Sequence, residues 1–546
     1  MSTNAPHLPD AHDSHDEEII QIVDDHHRGP RGGTTGWLIS GGVHLSAIAL
    51  MALAVSKLPP KGEVDVPPTR VTPIAMPEKQ PEKLIEKRTV QDQEELKVPI
   101  ESETQAPVST VDVLQEPTDR ETEHESTDPK GREEAVADAE TGGASFFMAL
   151  GAGGGGAGML GKRLGDGQKR AVIEGGGNPA SQSSVRASLR WFKRHQSPNG
   201  SWETDRYYQN CSEGAKCEPG GDVMGHGSDQ NVAMTSYALL CFLGAGNTHT
   251  LPGQYRNTVK KGIEWLVAVQ KNDGYFGLRN YEHPIATMAL AEAYAMTADP
   301  ALREPTQKAV DQILAHQNQD GGKAGYAGGL GWDYTKPTKR NDASVTGWNV
   351  MALKSALAGG LNVGKGMAGS KQWLEQSWKA SNSARDGEFK SWQEITAYDK
   401  SHFAYCWTTG EPAVKENTTG RESMGLVCAI FLGHTAGDAM VESLANTVMA
   451  TQLPKTFATA NAYYLYYNTM AMFQVGGDKW TTWNGTVRDL LVNAQRKSTD
   501  CVDGSWDWSS NNFVGAESGR VLTTAYCTLS LEVYYRYDQI KNLHRK

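Results

Sequence analysis

WFKRHQSPNGSW, residues 191–202, decides the fold of this chain, because the same grammar returns five more times. A helical run ends in Gln, a polar turn follows, and the turn closes on Gly and an aromatic residue. WLVAVQKNDGYF (265–276) and ILAHQNQDGG (313–322) repeat it closely. WLEQSWKASNSARDGEF (373–389) and LLVNAQRKSTDCVDGSW (490–506) repeat it with longer turns, and ANTVMATQ (445–452) is a worn copy. Gly, Asn and Asp in those turns are helix stops, so six amphipathic helices end there. Between them lie six segments that are apolar on nearly every face: 232–246, 284–296, 344–360, 422–433, 463–477 and 521–537. A helix apolar all round must be covered on most sides, whereas an amphipathic one is covered on a single face. The alternation therefore predicts an inner and an outer layer of helices. Neither terminal pair is built as a polar cap for an open stack, so the six pairs are expected to close into a ring.

The recurring Gln-x(3)-Gly-Ser-Trp element is similar to the QW repeat of squalene and oxidosqualene cyclases and of protein prenyltransferase β-subunits. The resemblance spans about residues 182–538. It implies an all-α fold, a six-paired α/α toroid of the terpenoid cyclase and prenyltransferase type. Residues 282–317 and 342–363 also resemble bacterial envelope proteins grouped as squalene-cyclase-like, from which a fold follows but no reaction.

The residues depart from both enzymatic patterns. Triterpene cyclases protonate an alkene with an Asp-x-Asp-Asp acid entering an inner helix. Here the stretch reads Lys339-Arg340-Asn341-Asp342, and an amide at 341 cannot donate a proton to carbon. Prenyltransferases activate a thiol with zinc held by Asp-x-Cys and a distant His. Here Asp342-Ala343-Ser344 lacks the thiolate. No thioester-like GCGEQ is present. Two readings stay open: a ligand-binding or scaffold module, or an enzyme of the toroid superfamily acting on a lipid, terpenoid or polysaccharide.

In such a ring the inner helices run parallel and their N-termini gather at one mouth. Unpaired N–H groups and the helix dipole there favour an anionic or polar ligand. The residues leading into the inner helices are His226 and Asp229, His283, Asp342, Arg421 with Glu422, Asn461, and Glu517 with Arg520. Asp342 is also a natural helix cap. The expected ligand-binding mouth is His283, Asp342, Arg421, Glu422 and Arg520, with Glu292 two turns deeper as a buried carboxylate.

Before residue 182 the composition changes. Between residues 58 and 190 the only aromatics are Phe146 and Phe147, too little apolar surface to offset chain entropy. Residues 1–34 read as a tail, 58–141 as a linker rich in Pro and charge, 142–181 as a Gly-rich linker, and 539–546 as a C-terminal tail. Gly156-x(4)-Gly161-Lys162 imitates a phosphate loop, but Arg163 stands where Ser or Thr would hold magnesium. Residues 35–57 contain a stretch, Trp37–Ser56, without Asp, Glu, Lys or Arg. As a helix it spans about 30 Å, a bilayer core. Basic residues flank it on both sides, so charge alone does not orient it. Ser40 and His44 lie one helical turn apart on one face. A Ser-x-x-x-His pair in a single span before a Pro/Glu/Lys-rich tether resembles TonB-type energy transducers. That resemblance covers about residues 35–100. It implies an inner-membrane location with the toroid on the periplasmic side, and ExbB/ExbD-like proton channel proteins as partners of Ser40 and His44.

A net charge of −11 argues against nucleic acid as a partner. The seven Cys are not expected to form a metal framework, and no metal or other cofactor is expected. Cys241, Cys428 and Cys527 read as buried thiols, and Cys211 and Cys217 as a plausible disulfide outside the cytoplasm.

Overall fold

The computed structural model describes residues 162–212, 214–218, 230–319, 330–386, 400–408, 421–435, 437–508 and 513–537. All belong to one compact unit within Val113–Lys546. The expected anchor with Ser40 and His44, the linker 58–141 and both tails lie outside the described residues. No helix among the described residues is long and apolar enough to cross a membrane.

Short polar side chains start several helices by accepting backbone N–H bonds: Asn178 from Ser181, Asp299 from Ala301, Asp342 from Ser344 and Val345, Asp438 from Met440, and Asn461 from Tyr463. A first short helix, α1 (Gly165–Gly175), precedes the repeats. Six pairs follow, each an outer then an inner helix. They are α2 (Pro179–His195) and α3 (Asn231–Gly244), α4 (Arg256–Val269) and α5 (Glu282–Thr297), and α6 (Pro300–Ala315) and α7 (Ala343–Ala358). Then come α8 (Gly366–Asp386) and α9 (Glu422–Phe431), α10 (Ala439–Thr451) and α11 (Ala462–Val475), and α12 (Gly477–Ala494) and α13 (Phe513–Leu531). A one-turn helix, α14 (Val533–Arg536), follows and packs on α1. A two-stranded antiparallel ribbon, β1 (Arg340–Asp342) with β2 (Cys406–Thr408), is the sheet among the described residues.

The inner helices pack in chain order, α3 on α5, α5 on α7, α7 on α9, α9 on α11 and α11 on α13, and α13 returns to α3. The outer helix α12 likewise packs on α2. The ring is closed. Inner helices bury nearly every residue, while an outer helix such as α4 buries only Thr258, Val259, Gly262, Ile263 and Leu266.

The repeat explains how neighbouring pairs are joined. The Gln196 amide donates to Gly200 O in its own turn and to Thr258 O on the next outer helix. Gln270 does the same with Gly274 and Pro305, and Gln317 with Leu330 and Gly366. Gln495 donates to Gly504 O and to Ser184 O of α2, so the sixth repeat grips the first as the first three repeats grip their successors. The turn Gly is required by this contact. At φ 85° Gly504 lies so close to α2 that a Cβ would meet Ala187 O at 2.3 Å. Trp202, Trp332 and Trp506 each close their turn by donating Nε1–H to a carbonyl of the preceding outer helix, at 2.8 Å. The worn copy lacks the stitch among the described residues: Gln452 reaches only Thr451.

One expected boundary moves. Residues 142–181 read as a Gly-rich linker, yet Gly165–Gly175 is helical and Arg163 is buried. The ordered domain therefore starts before the first repeat, because an arginine at the end of the Gly-rich run finds a charged partner inside the ring.

Candidate functional site: an arginine–tyrosine mouth above an aromatic centre

The ribbon sets the mouth. Asp342 ends β1 opposite Cys406 and caps α7, and Ala343 N donates to Tyr405 O at 2.9 Å. This holds Tyr405 beside the start of an inner helix. Arg340 reaches Asp333 at 2.6 Å and Asp342 at 2.8 Å, with its guanidinium over the rings of Tyr334 and Tyr405. Tyr334 and Tyr405 hydroxyls meet at 3.1 Å. Arg421, at the start of α9, stacks on the other neighbour of this group: its guanidinium carbon is 4.5 Å from the Tyr405 ring centre and 5.8 Å from that of Tyr464. The next residue, Glu422, is buried, and its Oε1 lies 3.1 Å from Nδ1 of His402, which is half exposed. Burial raises the Tyr334 and Tyr464 hydroxyls above the usual phenol range, Arg421 opposing it at Tyr464, so both stay protonated donors. Burial disfavours the Arg340 charge, but Asp342 and Asp333 outweigh it and hold the guanidinium firmly charged.

Below the mouth an aromatic column fills the ring. Tyr464 touches Tyr463 edge-on at 5.2 Å, Tyr463 touches Tyr467 at 4.9 Å, and Tyr467 meets Trp348 at 5.4 Å. Trp348 meets Tyr237 at 5.5 Å, whose hydroxyl bonds that of Tyr526 at 2.8 Å. These rings come from α3, α7, α11 and α13. The floor is ionic. Glu292 binds Arg163 at 2.9 Å and Arg536 at 2.6 Å, all three fully buried, and the two arginines also donate to Leu243 O and Leu240 O at the C-terminal end of α3.

The structure distributes the expected mouth residues over four places. Asp342, Arg421 and Glu422 surround the Tyr405 group. Arg520 lies instead at the junction of the sixth and first pairs, bound to Glu218 at 2.7 Å and Asp507 at 2.5 Å. Its charge is consumed there by carboxylates that helix-start reasoning did not include. Glu292 belongs to the floor, because its two oxygens are taken by arginines from both ends of the domain. His283 turns away from the centre toward α6: its Nδ1 accepts from Phe276 N and its Nε2 donates to Ala309 O. It stacks on Tyr275 at 4.4 Å. Burial pushes its pKa down to about 3, against the Ala309 bond, so it is a neutral packing residue. His226 and Asp229 lie outside the described residues.

Arg340, Tyr405 and His402 were not legible in the sequence. They sit in excursions between repeats, where no period constrains a reading. No spacing in the sequence groups the cysteines, yet His195, Cys211, Cys217 and Cys501 bring one ligand atom each to within 4.8 Å of one another. Cys211 and Cys217 are both free thiols.

Comparison with known proteins finds only distant likenesses. No family model matches the chain, and no curated protein is similar to it. Among solved structures, the GH76A α-1,6-mannanase of Salegentibacter sp. HEL1_6 gives a TM-score of 0.44 at 11% identity, covering 65% of this chain and 98% of that one. Unsaturated glucuronyl hydrolase of Bacillus sp. GL1 gives 0.44 at 12%, covering 67% and 97%. The type II terpene cyclase MstE from Scytonema gives 0.39 at 12%, covering 65% and 97%. The fold is an α/α toroid. At this level of similarity none of those proteins' chemistry transfers to this toroid.

Proposed function

We propose that the toroid is a ligand-binding module whose binding surface is the mouth formed by Tyr334, Tyr405, Tyr464, Arg340 and Arg421. The observation that carries this is the Arg421 guanidinium stacked on Tyr405 and Tyr464 at a partly exposed helix start, beside the Arg340 guanidinium over Tyr334 and Tyr405. A planar cation held on aromatic faces presents a preorganised fork to a carboxylate or phosphate, and the ring faces accept apolar or sugar surface. A cyclase reading is disfavoured by Asn341, which is fully buried and whose Oδ1 accepts from Gly331 N and Asn318 Nδ2, both at 3.0 Å. Small molecules released on denaturing full-length protein purified from native membranes test the reading by mass spectrometry. Arg421→Ala should reduce an anionic ligand's affinity about 10- to 100-fold, the worth of one charge-assisted hydrogen bond. An unchanged ligand load would refute it.

A second reading, a toroid enzyme, is favoured by His402. A half-exposed imidazole held by the buried Glu422 carboxylate is the arrangement of a general base. His402→Ala should then abolish turnover of the bound molecule while leaving its binding intact. Loss of binding without any turnover in the parent protein would favour the binding module.

We also propose that residues 35–57 anchor the domain in a membrane and that Ser40 and His44 face an ExbB/ExbD-like proton channel there, from the charge-free Trp37–Ser56 stretch and the pair's spacing. Photocross-linking from that helix face should capture protein. Capture of lipid alone would refute it.

A further inference from the structure

The junction between the last and first repeats carries a cluster of metal-ligating groups remote from the mouth. His195 is the last residue of α2, Cys211 and Cys217 lie in the loop after it, and Cys501 comes from the turn after α12. His195 Nε2 is 3.2 Å from Cys211 Sγ, 3.4 Å from Cys217 Sγ and 3.2 Å from Cys501 Sγ. A tetrahedral zinc with ordinary bond lengths needs edges of about 3.6 Å from nitrogen to sulfur and about 3.8 Å between sulfurs. The cluster is already within a few tenths of an ångström of the first requirement, and its largest separation is 4.8 Å.

The surroundings support ligation. His195 Nδ1 donates to Trp191 O at 2.8 Å, which fixes the tautomer and leaves the Nε2 lone pair aimed among the three sulfurs. The ring is clamped on Trp191 at 4.3 Å. Cys217 N donates to Cys211 Sγ at 3.3 Å, a bond that supports a thiolate. His195, Cys217 and Cys501 are buried, and Cys211 half so. Arg520 holds Glu218, the residue after Cys217, through both carboxylate oxygens, so the loop bearing two ligands is itself fixed. Three cysteines cannot all pair with one another as disulfides.

We propose that His195, Cys211, Cys217 and Cys501 bind one zinc ion that clips the sixth repeat to the first. Four protein ligands close the coordination sphere, so the ion is structural and offers no open position for catalysis. This centre is distinct from the Asp-x-Cys zinc motif of prenyltransferases, whose matching stretch here, at Asp342, lacks a thiolate. Its location has a mechanical logic. Consecutive pairs are joined by their own turns, but the closing pair is joined only through space, across 306 residues between His195 and Cys501. A cross-link there removes the largest loop from the open ensemble.

The test uses the full chain, purified in detergent without added chelator. Elemental analysis should find one zinc per chain. Cobalt(II) exchanged into the protein should show thiolate-to-metal charge transfer and the strong visible bands of a tetrahedral site. Cys501→Ser should lower metal content to a small fraction of the parent value, while Cys406→Ser should leave it at one. Because Cys501→Ser could also misfold, chelator-stripped parent protein provides the second measurement. Cys211, Cys217 and Cys501 should become alkylated after stripping and be protected again after zinc is restored. A parent protein with no stoichiometric metal and a mass two hydrogens lighter, showing a disulfide among these thiols, would overturn the proposal. So would zinc binding that persists in Cys501→Ser.

Discussion

Replacing Gln495 by Leu tests whether the ring is held closed by the same stitch that joins its repeats. Gln495 is 6% exposed and donates at 2.8 Å to Ser184 O and at 2.9 Å to Gly504 O, bridging 311 residues in the first contact. Leu has a similar volume but no donor, so Ser184 O, which keeps its helical partner, and Gly504 O each lose one hydrogen bond. Each lost bond costs about 0.5–1.5 kcal/mol, giving a destabilisation of about 1–3 kcal/mol. Gln452→Leu is the matched control. Its amide touches only Thr451 at the surface, so its replacement should change stability by less than about 0.5 kcal/mol. Urea unfolding followed by tryptophan fluorescence gives the two values. Hydrogen exchange should localise the Gln495→Leu lesion to α2 and α12, on both sides of the junction, with the mid-ring helices α6 and α8 less affected. Equal effects at 495 and 452, or exchange that rises only in α12, would show that the closing contact contributes nothing and that the ring is an open stack in solution.

Two further outcomes follow from buried charges. His434 lies between Asp438 at 2.9 Å and Glu375 at 3.4 Å; burial lowers its pKa, but hydrogen bonds to those two carboxylates outweigh this and raise it to about 9. A folded pKa above the unfolded value of about 6.5 gives stability that is complete below about pH 6.5 and is lost as pH rises through about 9, on the order of 3 kcal/mol. His434→Gln should therefore be much less stable than the parent at pH 6 and nearly equal to it at pH 10, measured by urea midpoints. At the floor, Glu292→Gln leaves the Arg163 and Arg536 guanidiniums without their shared carboxylate and should cost about 3–5 kcal/mol, whereas His283→Gln, which removes packing but no charge pair, should cost less.

The layers, the pairing and the helix count were readable because each depends on a local rule repeated six times. Gln196, Gln270, Gln317 and Gln495 all sit at one point of the period, and the physics that places one places the others. The site was only partly readable, for the opposite reason. Asp342 and Arg421 were found because helix starts can be located, but a helix start does not say which way a side chain turns. His283 turns outward to Ala309 O while Arg421 turns onto Tyr405. Tyr405, Arg340 and His402 come from insertions that obey no period. The His195 and Cys501 pairing was invisible because their proximity is a consequence of ring closure itself, and only a reading that already closed the ring could place residue 501 beside residue 195.

Closure also explains why unrelated interactions crowd one seam. Between the sixth and first pairs lie the Gln495 stitch, the Gly504 contact on Ala187 O, the Arg194 bond to Asp503 O, the Arg520 pair with Glu218, the Thr528 bond to Ser188 and the thiol–imidazole cluster. Each other pair is tethered to its successor by a short turn, which keeps the partners at high effective concentration. The closing pair has no such tether and must be held by contacts alone. The floor answers the same demand from the N-terminal side. Arg163 precedes the first helix and Arg536 follows the last inner one, and both end on the single carboxylate of Glu292. The two ends of the domain thus meet on one residue of the second pair. The Tyr405 mouth lies at the other end of the aromatic column, so the proposed binding surface and the Arg163–Glu292–Arg536 closure occupy opposite ends of the ring.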